Sequence, residues 1–235
     1  MHATALLNAE RFFDVYAPRI GPGRVVDIGA QDVNGSLRSV CPPTLRYTGV
    51  DFVAGKGVDV VLDDPYRLPF PDATFDVALS SSCFEHSEFF WLLFLEIMRV
   101  LKPAGLFYLN VPANGPYHRY PVDCWRFYPD SAEALVRWGR RNGVGSALLE
   151  SFTTDQYRYV WNDFVAVIVR DADCAGRYPD RIVRGIAGYS NAHVHPADGA
   201  GEPLQMQQFP QDQRYLGWRW HKKLSLWRDR WRGCR

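Results

Sequence analysis

Hydrophobic positions along the chain gather in short runs that predict buried strands, separated by stretches with helical spacing. Seven runs predict strands, at about residues 24–29, 46–51, 58–62, 75–80, 104–111, 146–153 and 158–169. Apolar residues at helical intervals predict helices at 4–17, 87–101 and 130–142. Strands that alternate with helices are typical of parallel sheets covered on both faces. We therefore expect an α/β fold with a doubly wound, mostly parallel, seven-stranded sheet.

Turn-forming residues set the expected ends of the helices. The segment 18–23, with two prolines and two glycines, ends the first helix. Lys102-Pro103-Ala104-Gly105 predicts a stop and a turn after the second helix. Asp130 or Ser131 is expected to cap the third helix, and Gly143 follows its end.

The last quarter of the chain differs in composition from the rest. Residues 171–213 are rich in Pro, Gly, Asp and Gln, and they predict a long irregular segment. Residues 214–232 predict an amphipathic helix whose apolar face consists of Trp220, Leu224, Trp227 and Trp231. We therefore divide the chain into one domain over residues 1–170 and an extension over residues 171–235.

Charge is distributed unevenly between these parts. Residues 214–235 contain eight Lys or Arg and one Asp, a net charge of +7, whereas the remainder has 19 basic and 25 acidic residues, a net charge of −6. An acidic body does not suit nucleic acid as a substrate. The basic tail fits the protein's own acidic surface, a second copy in a homodimer, or a peripheral contact with an anionic membrane. We favour the first two.

Composition narrows the class of protein further. No stretch approaches the 18 uninterrupted apolar residues of a membrane span, and the N-terminus has no secretion-signal pattern. The five cysteines are odd in number and form no C-x-x-C pair, so we expect reduced thiols in the cytoplasm. His193 and His195, with Asp198, are spaced as two histidines in a loop that are more often unligated, and we expect no metal.

A candidate ligand site begins at the first predicted strand. Val25, Val26 and Ile28 form a buried run that contains Asp27 and leads into a loop with Gly29, Ala30 and Gly35. A strand that feeds a glycine loop and then a helix is how α/β proteins hold nucleotide-like ligands. Gly29 would let the backbone approach that ligand closely. The acids at positions 27 and 32 would repel a pyrophosphate, so a cationic ligand suits the loop better.

A second acid strengthens this interpretation. Asp51 ends the second predicted strand, 22 residues after Gly29. An acid about 20 residues beyond the glycine loop is placed to accept hydrogen bonds from ribose hydroxyls.

These segments together resemble the class I S-adenosylmethionine-dependent methyltransferases over residues 24–113. The resemblance is carried by Val25-Val-Asp-Ile-Gly-Ala30, Tyr47-Thr-Gly-Val-Asp51, Asp64-Pro-Tyr-Arg-Leu-Pro-Phe-Pro-Asp-Ala-Thr-Phe-Asp76, Cys83-Phe-Glu-His86 and Glu96-Ile-Met-Arg-Val-Leu-Lys-Pro-Ala-Gly105. The first loop departs from the usual D-x-G-x-G-x-G, because Gln31 stands at one of its glycines. The resemblance implies S-adenosylmethionine as cofactor and an antiparallel last strand.

The resemblance also implies which residues meet the cofactor. Asp51 is expected on the ribose, and Asp64 on the adenine amino group, with the adjacent Asp63 as its rival. The remaining expected cofactor residues are Asp27, Gly29, Ala30, Gly35, Phe52 and Ser81.

Acceptor chemistry is expected after the fourth and fifth strands. His86 and His118 are candidate bases, His118 being the first choice, and Asp123 is expected to orient or accept. Tyr117, Tyr120 and Trp125 are expected to line the acceptor pocket. The alternative for His86 is packing that holds a loop. The alternative for residues 112–128 is a structural corner with Trp125 and Phe127 in the core and Arg126 paired to an acid.

The expected activity is methyl transfer to a hydroxyl of a small molecule or glycan precursor. Residues 112–128 resemble, more weakly, a subgroup of bacterial methyltransferases often found with glycan or secondary-metabolite assembly. Transfer to an amine nitrogen is the first alternative. The second is a non-catalytic S-adenosylmethionine-binding protein that acts through its basic tail.

Overall fold

The structure is a computed structural model that describes residues 3–156, 161–195 and 204–207. Its helices are α1 (Ala3–Ile20), α2 (Phe90–Val100) and α3 (Ser131–Arg141). Its strands are β1 (Gly23–Ile28), β2 (Leu45–Asp51), β3 (Val60–Val61), β4 (Phe75–Ser81), β5 (Leu101–Pro112), β6 (Ala147–Thr154), β7 (Asp163–Val169) and β8 (Tyr189–Val194). None of the helices in these segments combines the length and apolar character needed to span a bilayer.

All eight strands belong to one sheet, in the order β3-β2-β1-β4-β5-β7-β6-β8. Pairing is parallel from β3 through β2, β1 and β4 to β5. Strand β7 runs antiparallel to both β5 and β6, and β8 runs antiparallel to β6. The predicted α/β fold class and the antiparallel late strand are confirmed. From β1 the chain adds β2 and β3 on one side of the sheet and then crosses to add β4 and β5 on the other side. The carboxyl ends of β1 and β4 therefore border the crevice where open α/β sheets bind ligands.

Two apolar cores cover the two faces of the sheet. On one face, α1 packs Phe12, Phe13 and Tyr16 against residues of the central strands. On the other face, α2 and α3 bury Phe94, Ile97 and other apolar side chains. A sheet buried on both faces requires near-continuous apolar strands. This explains why β7, Asp-Phe-Val-Ala-Val-Ile-Val, is buried at every position.

The predicted stop and turn after α2 lies inside a strand instead. Strand β5 already begins at Leu101, which pairs with Phe75 of β4, whereas the next pair joins Leu106 to Val77. Residues 102–105 therefore bulge out of the ladder between these two pairs. A bulge uses the same turn-prone residues as a turn but lets strand pairing continue on either side of it.

The segment after residue 170 is more regular than its composition predicted. Residues 171–195 form the short 3-10 turns Ala172–Arg177 and Ile182–Arg184 and then β8, which extends the sheet to eight strands. Buried Glu150 of β6 explains this order, because its carboxylate accepts the N–H groups of Ile182 and Val183 at 2.8 and 3.1 Å.

The boundary predicted at residue 170 therefore does not separate a structured domain from an irregular one. The predicted tail helix, residues 214–232, lies outside the described residues. Its contact with a membrane or with a second copy in a homodimer stays a prediction.

Replacing Glu150 with Ala should destabilise the protein by about 2–4 kcal/mol. The change leaves two buried N–H groups without an acceptor and removes the partner of the Tyr16 hydroxyl, which donates to Glu150 at 2.6 Å. Urea denaturation followed by circular dichroism measures the loss. Glu150→Gln, which keeps one acceptor oxygen, should lose less. Equal stability of Glu150→Ala and the unchanged protein would show that residues 182–183 dock by other contacts.

Candidate active site

The glycine loop after β1 folds back against the end of β2. The N–H groups of Gly29 and Ala30 both donate to the carbonyl of Val50, at 3.0 and 3.1 Å. Gly29 has a φ of +82°, and a Cβ there would lie 2.7 Å from the Cβ of Cys83. Glycine is therefore required by the left-handed backbone and by the contact with the segment after β4. The space beside this glycine, expected to admit a ligand, is filled by Cys83.

The helix expected after this loop does not form. Gly35, at a φ of +118°, donates its N–H to Asp32 Oδ1 at 2.8 Å, and the N–H of Arg38 is accepted by Ser36 Oγ. Only the 3-10 turn Leu37–Ser39 follows. Local side-chain acceptors thus satisfy the N–H groups that a helix would use, and Gly35 serves the turn. The loop presents no helix N-terminus, which agrees with a ligand that is not a phosphate.

Asp51 stands at the carboxyl end of β2, beside the glycine loop. Its Oδ2 accepts the N–H of Gln31 at 3.3 Å, and its Oδ1 accepts the N–H of Val53 at 3.1 Å. A carboxylate has about four lone-pair positions, so each oxygen can still accept from a ribose hydroxyl. Phe52 follows with its side chain half exposed. Asp51 is thus positioned as the sequence predicted.

The two acids after β3 have different surroundings. Asp64 Oδ1 accepts the N–H of Tyr66 at 2.8 Å, so this carboxylate closes a local turn. Within the described segments, the Asp63 carboxylate accepts no hydrogen bond. One local hydrogen bond leaves Asp64 with free lone pairs, so either carboxylate can accept from a ligand amino group, and the choice between Asp64 and its rival Asp63 stays a prediction.

Asp27 is buried near the end of β1, with 3% of its surface exposed. It accepts a hydrogen bond from the hydroxyl of Tyr47 on the neighbouring strand. Burial raises the pKa of Asp27 to about 7, with the Tyr47 hydrogen bond acting in the opposite direction. Its position suits a role in holding β1 against β2, which orients the glycine loop without direct cofactor contact.

The end of β4 offers unpartnered polar atoms. Ser80 and Ser81 are buried, and in the described part of the chain neither hydroxyl has a hydrogen-bond partner. Buried hydroxyls without a partner are uncommon in folded proteins and indicate a missing ligand or water. Together with the Asp51 carboxylate at the end of β2, the two serine hydroxyls fit S-adenosylmethionine. The ribose hydroxyls of this cofactor need hydrogen-bond acceptors, and its sulfonium is stabilised by nearby acids.

Glu85, His86 and His118 meet beyond the end of β4. Each of the three side chains has one atom that could bind a metal ion, and these three atoms all lie within 4.8 Å of one another. The rings of His86 and His118 pack edge to face, with centroids 4.9 Å apart. Burial lowers the pKa of His86, and burial raises the pKa of Glu85 to about 8. Both histidines thus lie together, as candidate bases should, whereas Glu85 was not expected.

Asp123 organises the segment that carries His118. Its carboxylate is 1% exposed, accepts from Arg126 at 2.5 and 2.8 Å, and accepts the backbone N–H of His118 at 2.7 Å. The Arg126 guanidinium lowers the pKa of Asp123 to about 2. A carboxylate so fully paired positions its neighbours and has little capacity left to accept a proton. The alternative prediction holds for two of its three residues, since Arg126 pairs with Asp123 and Phe127 is buried, whereas Trp125 is 37% exposed and does not lie in the core.

The three aromatic residues predicted for the acceptor pocket have different environments. Trp125 donates its indole N–H to the carbonyl of Ser87 at 2.9 Å and packs against the Phe90 ring, so it anchors this corner. Tyr117 is 73% exposed. Tyr120 donates its hydroxyl to Gln31 Oε1 at 2.6 Å. Tyr117 and Tyr120 remain available to an acceptor, whereas the main contacts of Trp125 are structural.

Gln31 and Glu85 are the site residues that sequence reasoning missed. Gln31 joins the Asp51 carboxylate to the Tyr120 hydroxyl, and the carbonyl of Glu85 accepts the N–H groups of Cys124 and Trp125. The departure of the loop from the usual glycine pattern at position 31 was the available indication for Gln31. For Glu85 it was the Glu-His pair directly after a strand.

Comparison with known families identifies the domain. The model of the family described as "Methyltransferase domain" matches residues 27–109, which run from β1 into β5. Over these residues the chain is similar to methyltransferase domains. The predicted resemblance to methyltransferases is confirmed over these residues, and it indicates S-adenosylmethionine as the cofactor.

Curated relatives of the methyltransferase domain come from mycobacteria. An uncharacterized methyltransferase of Mycolicibacterium paratuberculosis is 30% identical over 135 residues, which are 54% of this chain and 49% of the relative. The phthiotriol/phenolphthiotriol dimycocerosates methyltransferase of Mycobacterium tuberculosis is 33% identical over 96 residues, which are 39% of this chain and 32% of the relative. The chain thus spans half or less of the length of these relatives.

Solved structures share the fold. The 1,6-didemethyltoxoflavin-N1-methyltransferase of Burkholderia thailandensis, solved with its substrate and S-adenosylhomocysteine, has a TM-score of 0.56 at 18% identity and aligns over 71% of this chain and 78% of its own. A sarcosine dimethylglycine methyltransferase from Galdieria sulphuraria has a TM-score of 0.52 at 12% identity, over 70% and 86% of the two chains. At these identities the likeness supports the Rossmann-like fold.

Replacing Asp27 with Asn should flatten the pH dependence of stability of the methyltransferase domain. The folded protein holds the Asp27 proton up to a pH of about 7, whereas the ordinary pKa is 3.8. Folding therefore binds a proton between these values, so the free energy of unfolding should fall as the pH rises from 4 to 7. Urea denaturation at several pH values measures the slope. An identical slope in Asp27→Asn would assign the pH dependence to other groups.

Proposed function

We propose that this protein transfers the methyl group of S-adenosylmethionine to a hydroxyl of a small molecule or a glycan precursor. The observation that carries the proposal is a pair of contacts between the loop after β1 and the two segments that carry the histidines. Cys83 packs against Gly29, and the Tyr120 hydroxyl donates to Gln31. These contacts hold side chains that can still accept hydrogen bonds beside the carboxyl ends of β1 and β4.

The chemistry expected of the protein is modest. S-adenosylmethionine supplies a methyl carbon that is already activated on a sulfonium sulfur. As the C–O bond forms, the C–S bond breaks with its electron pair on sulfur, and the hydroxyl proton must leave. The protein therefore has to align the acceptor and assist removal of that proton.

His86 is oriented for that task. Its Nδ1–H lies 2.5 Å from the carbonyl oxygen of Val122, which can only accept a hydrogen bond. The other ring nitrogen, Nε2, therefore keeps its lone pair. The edge-to-face contact places His118 beside it, on the segment that also carries Tyr117 and Tyr120. The histidine pair thus supports an oxygen acceptor, which needs proton removal more than an amine does.

An amine acceptor is the second candidate. The structural neighbour from Burkholderia thailandensis is named as an N1-methyltransferase, and an amine that is already unprotonated needs no base. An acceptor screen with methyl-labelled S-adenosylmethionine separates the two candidates, since the position of the label in the product identifies the methylated atom. If no acceptor is methylated while the cofactor binds, the non-catalytic binding protein becomes the better description.

Replacing Asp51 with Ala should weaken S-adenosylmethionine binding by about 1.5–3 kcal/mol, the cost expected for losing a hydrogen bond to a charged group. Titration calorimetry measures the affinity. Asp14→Ala, which removes an exposed acid on α1, is the matched control and should bind normally. Unchanged affinity in Asp51→Ala would overturn the ribose assignment.

Replacing His86 or His118 with Ala should lower kcat by ~10²–10⁴ with little change in cofactor affinity. His195→Ala, which removes an exposed histidine, is the control and should keep full turnover. Steady-state kinetics with the acceptor found in the screen gives the comparison. Full turnover in both variants would show that the reaction needs neither histidine, and would favour a nitrogen acceptor or simple proximity.

A further inference from the structure

The cluster of Glu85, His86 and His118 has the composition of a metal site. It is the one group of three or more metal-ligating side chains that the described residues bring together within 4.8 Å. No metal was expected from the sequence, because His118 lies 32 positions after His86 and only the fold joins them.

Both imidazole rings are oriented so that one nitrogen of each is free to bind a cation. His86 donates Nδ1–H to the carbonyl of Val122, which leaves Nε2 facing Glu85. His118 Nδ1 lies 3.3 Å from a carboxylate oxygen of Asp123 and 3.3 Å from the carbonyl of Pro116. These two oxygens favour a proton on Nδ1, whereas Arg126 Nη2, 3.4 Å from Nδ1, can only donate and favours a lone pair there. In either neutral tautomer of His118, one ring nitrogen keeps a lone pair. Histidines that bind metals are commonly held in this way by a carbonyl or a carboxylate.

Glu85 provides an independent indication that a ligand is missing. Its side chain is 1% exposed, and its Oε2 has no hydrogen-bond partner among the residues described. Its Oε1 lies 3.7 Å from His86 Nε2, too far for a hydrogen bond. A buried carboxyl oxygen without a partner is costly, and a cation between Glu85 and the imidazoles would satisfy it.

We propose that Glu85, His86 and His118 bind one divalent transition-metal cation of the Zn²⁺ or Mn²⁺ class. Two imidazoles and one carboxylate suit these cations better than Mg²⁺ or Ca²⁺, which prefer oxygen ligands. Ligand atoms around Zn²⁺ lie roughly 3.3 Å apart, given bonds of ~2.0–2.1 Å, so atoms up to 4.8 Å apart must approach by up to about 1.5 Å. Side-chain rotation of Glu85 and of His118, which is part-exposed, can provide that movement.

The surrounding charges tolerate a cation. Arg126 lies near the cluster, with its Nη2 3.4 Å from His118 Nδ1, and would repel a metal if it were unpaired. Both oxygens of Asp123 accept from this guanidinium, so its charge is compensated. Glu85, once it loses its proton to make way for the metal, supplies the negative charge that favours a divalent ion.

Three protein ligands leave a coordination position open, as in catalytic metal sites. The inference rests on the proposed function in one respect, since the open position would take the acceptor hydroxyl. A hydroxyl bound there has a lowered pKa and loses its proton to solvent more readily. The histidines would then act as ligands, which gives the expected loss of kcat in their variants a second physical basis.

Metal binding to the protein can be measured without an acceptor. The full chain is stripped with a chelator and titrated with ZnCl₂ and MnCl₂ in separate calorimetry experiments, and its Tm is recorded with and without each cation. We expect one equivalent to bind and the Tm to rise. Glu85→Gln and His118→Ala should each weaken binding at least ~100-fold, whereas His195→Ala should bind as the unchanged protein does.

Two measurements show whether the Glu85→Gln variant is still folded. Far-ultraviolet circular dichroism and S-adenosylmethionine affinity should be normal in Glu85→Gln, which keeps the size of the side chain. Absence of stoichiometric binding by both cations, or equal binding in all variants, would overturn the metal proposal. Methyl transfer that persists at full rate in chelator would also overturn it and leave the proposed function intact. Cation binding without methylation of any acceptor would overturn the proposed function alone.

Discussion

Parallel pairing of β1 with β2 on one side and β4 on the other is the constraint on which the site depends. It brings the carboxyl ends of three strands to one edge, so that Gly29, Asp51 and Ser81 become neighbours although they are up to 52 positions apart. Burial on both faces makes this pairing rigid, because two apolar cores clamp the sheet. The loops at that edge can therefore be short and polar without loss of order.

The acceptor side is built differently, by a segment that owes its shape to polar contacts. Residues 115–128 contain no helix or strand, and they are held by the Asp123–Arg126 ion pair and by the carbonyl of Glu85. Charge-assisted bidentate pairs of this kind fix geometry as well as adding stability. The same contacts set the His118 backbone and the edge-to-face packing of its ring on His86. A loop stabilised in this way can differ between relatives while the sheet beneath it stays constant.

The glycine loop after β1 and residues 115–128 on the acceptor side are connected by few contacts. These contacts explain why the loop departs from the usual glycine pattern. Gln31 replaces a glycine and uses its backbone N–H for Asp51 and its side chain for Tyr120. Cys83 fills the space that a side chain at position 29 would occupy. A change in the glycine loop would thus alter the position of residues 115–128, and the reverse. This is the physical basis for coupling cofactor binding to acceptor binding.

The local pattern of residues determined the strands, the three helices, the glycine loop and the acid at Asp51, because each depends on neighbours close in sequence. It also carried the resemblance to methyltransferases, which the family model matches over residues 27–109. Tertiary structure alone decided that Asp27 is buried and that residues 102–105 bulge within β5. It also decided that residues 171–195 add a strand, because the N–H groups of residues 182 and 183 donate to Glu150 of β6 and the Arg181 side chain donates to the carbonyl of Leu149. It alone decided that Glu85 joins both histidines. Such facts depend on which distant groups share a buried space, and no spacing along the chain records that.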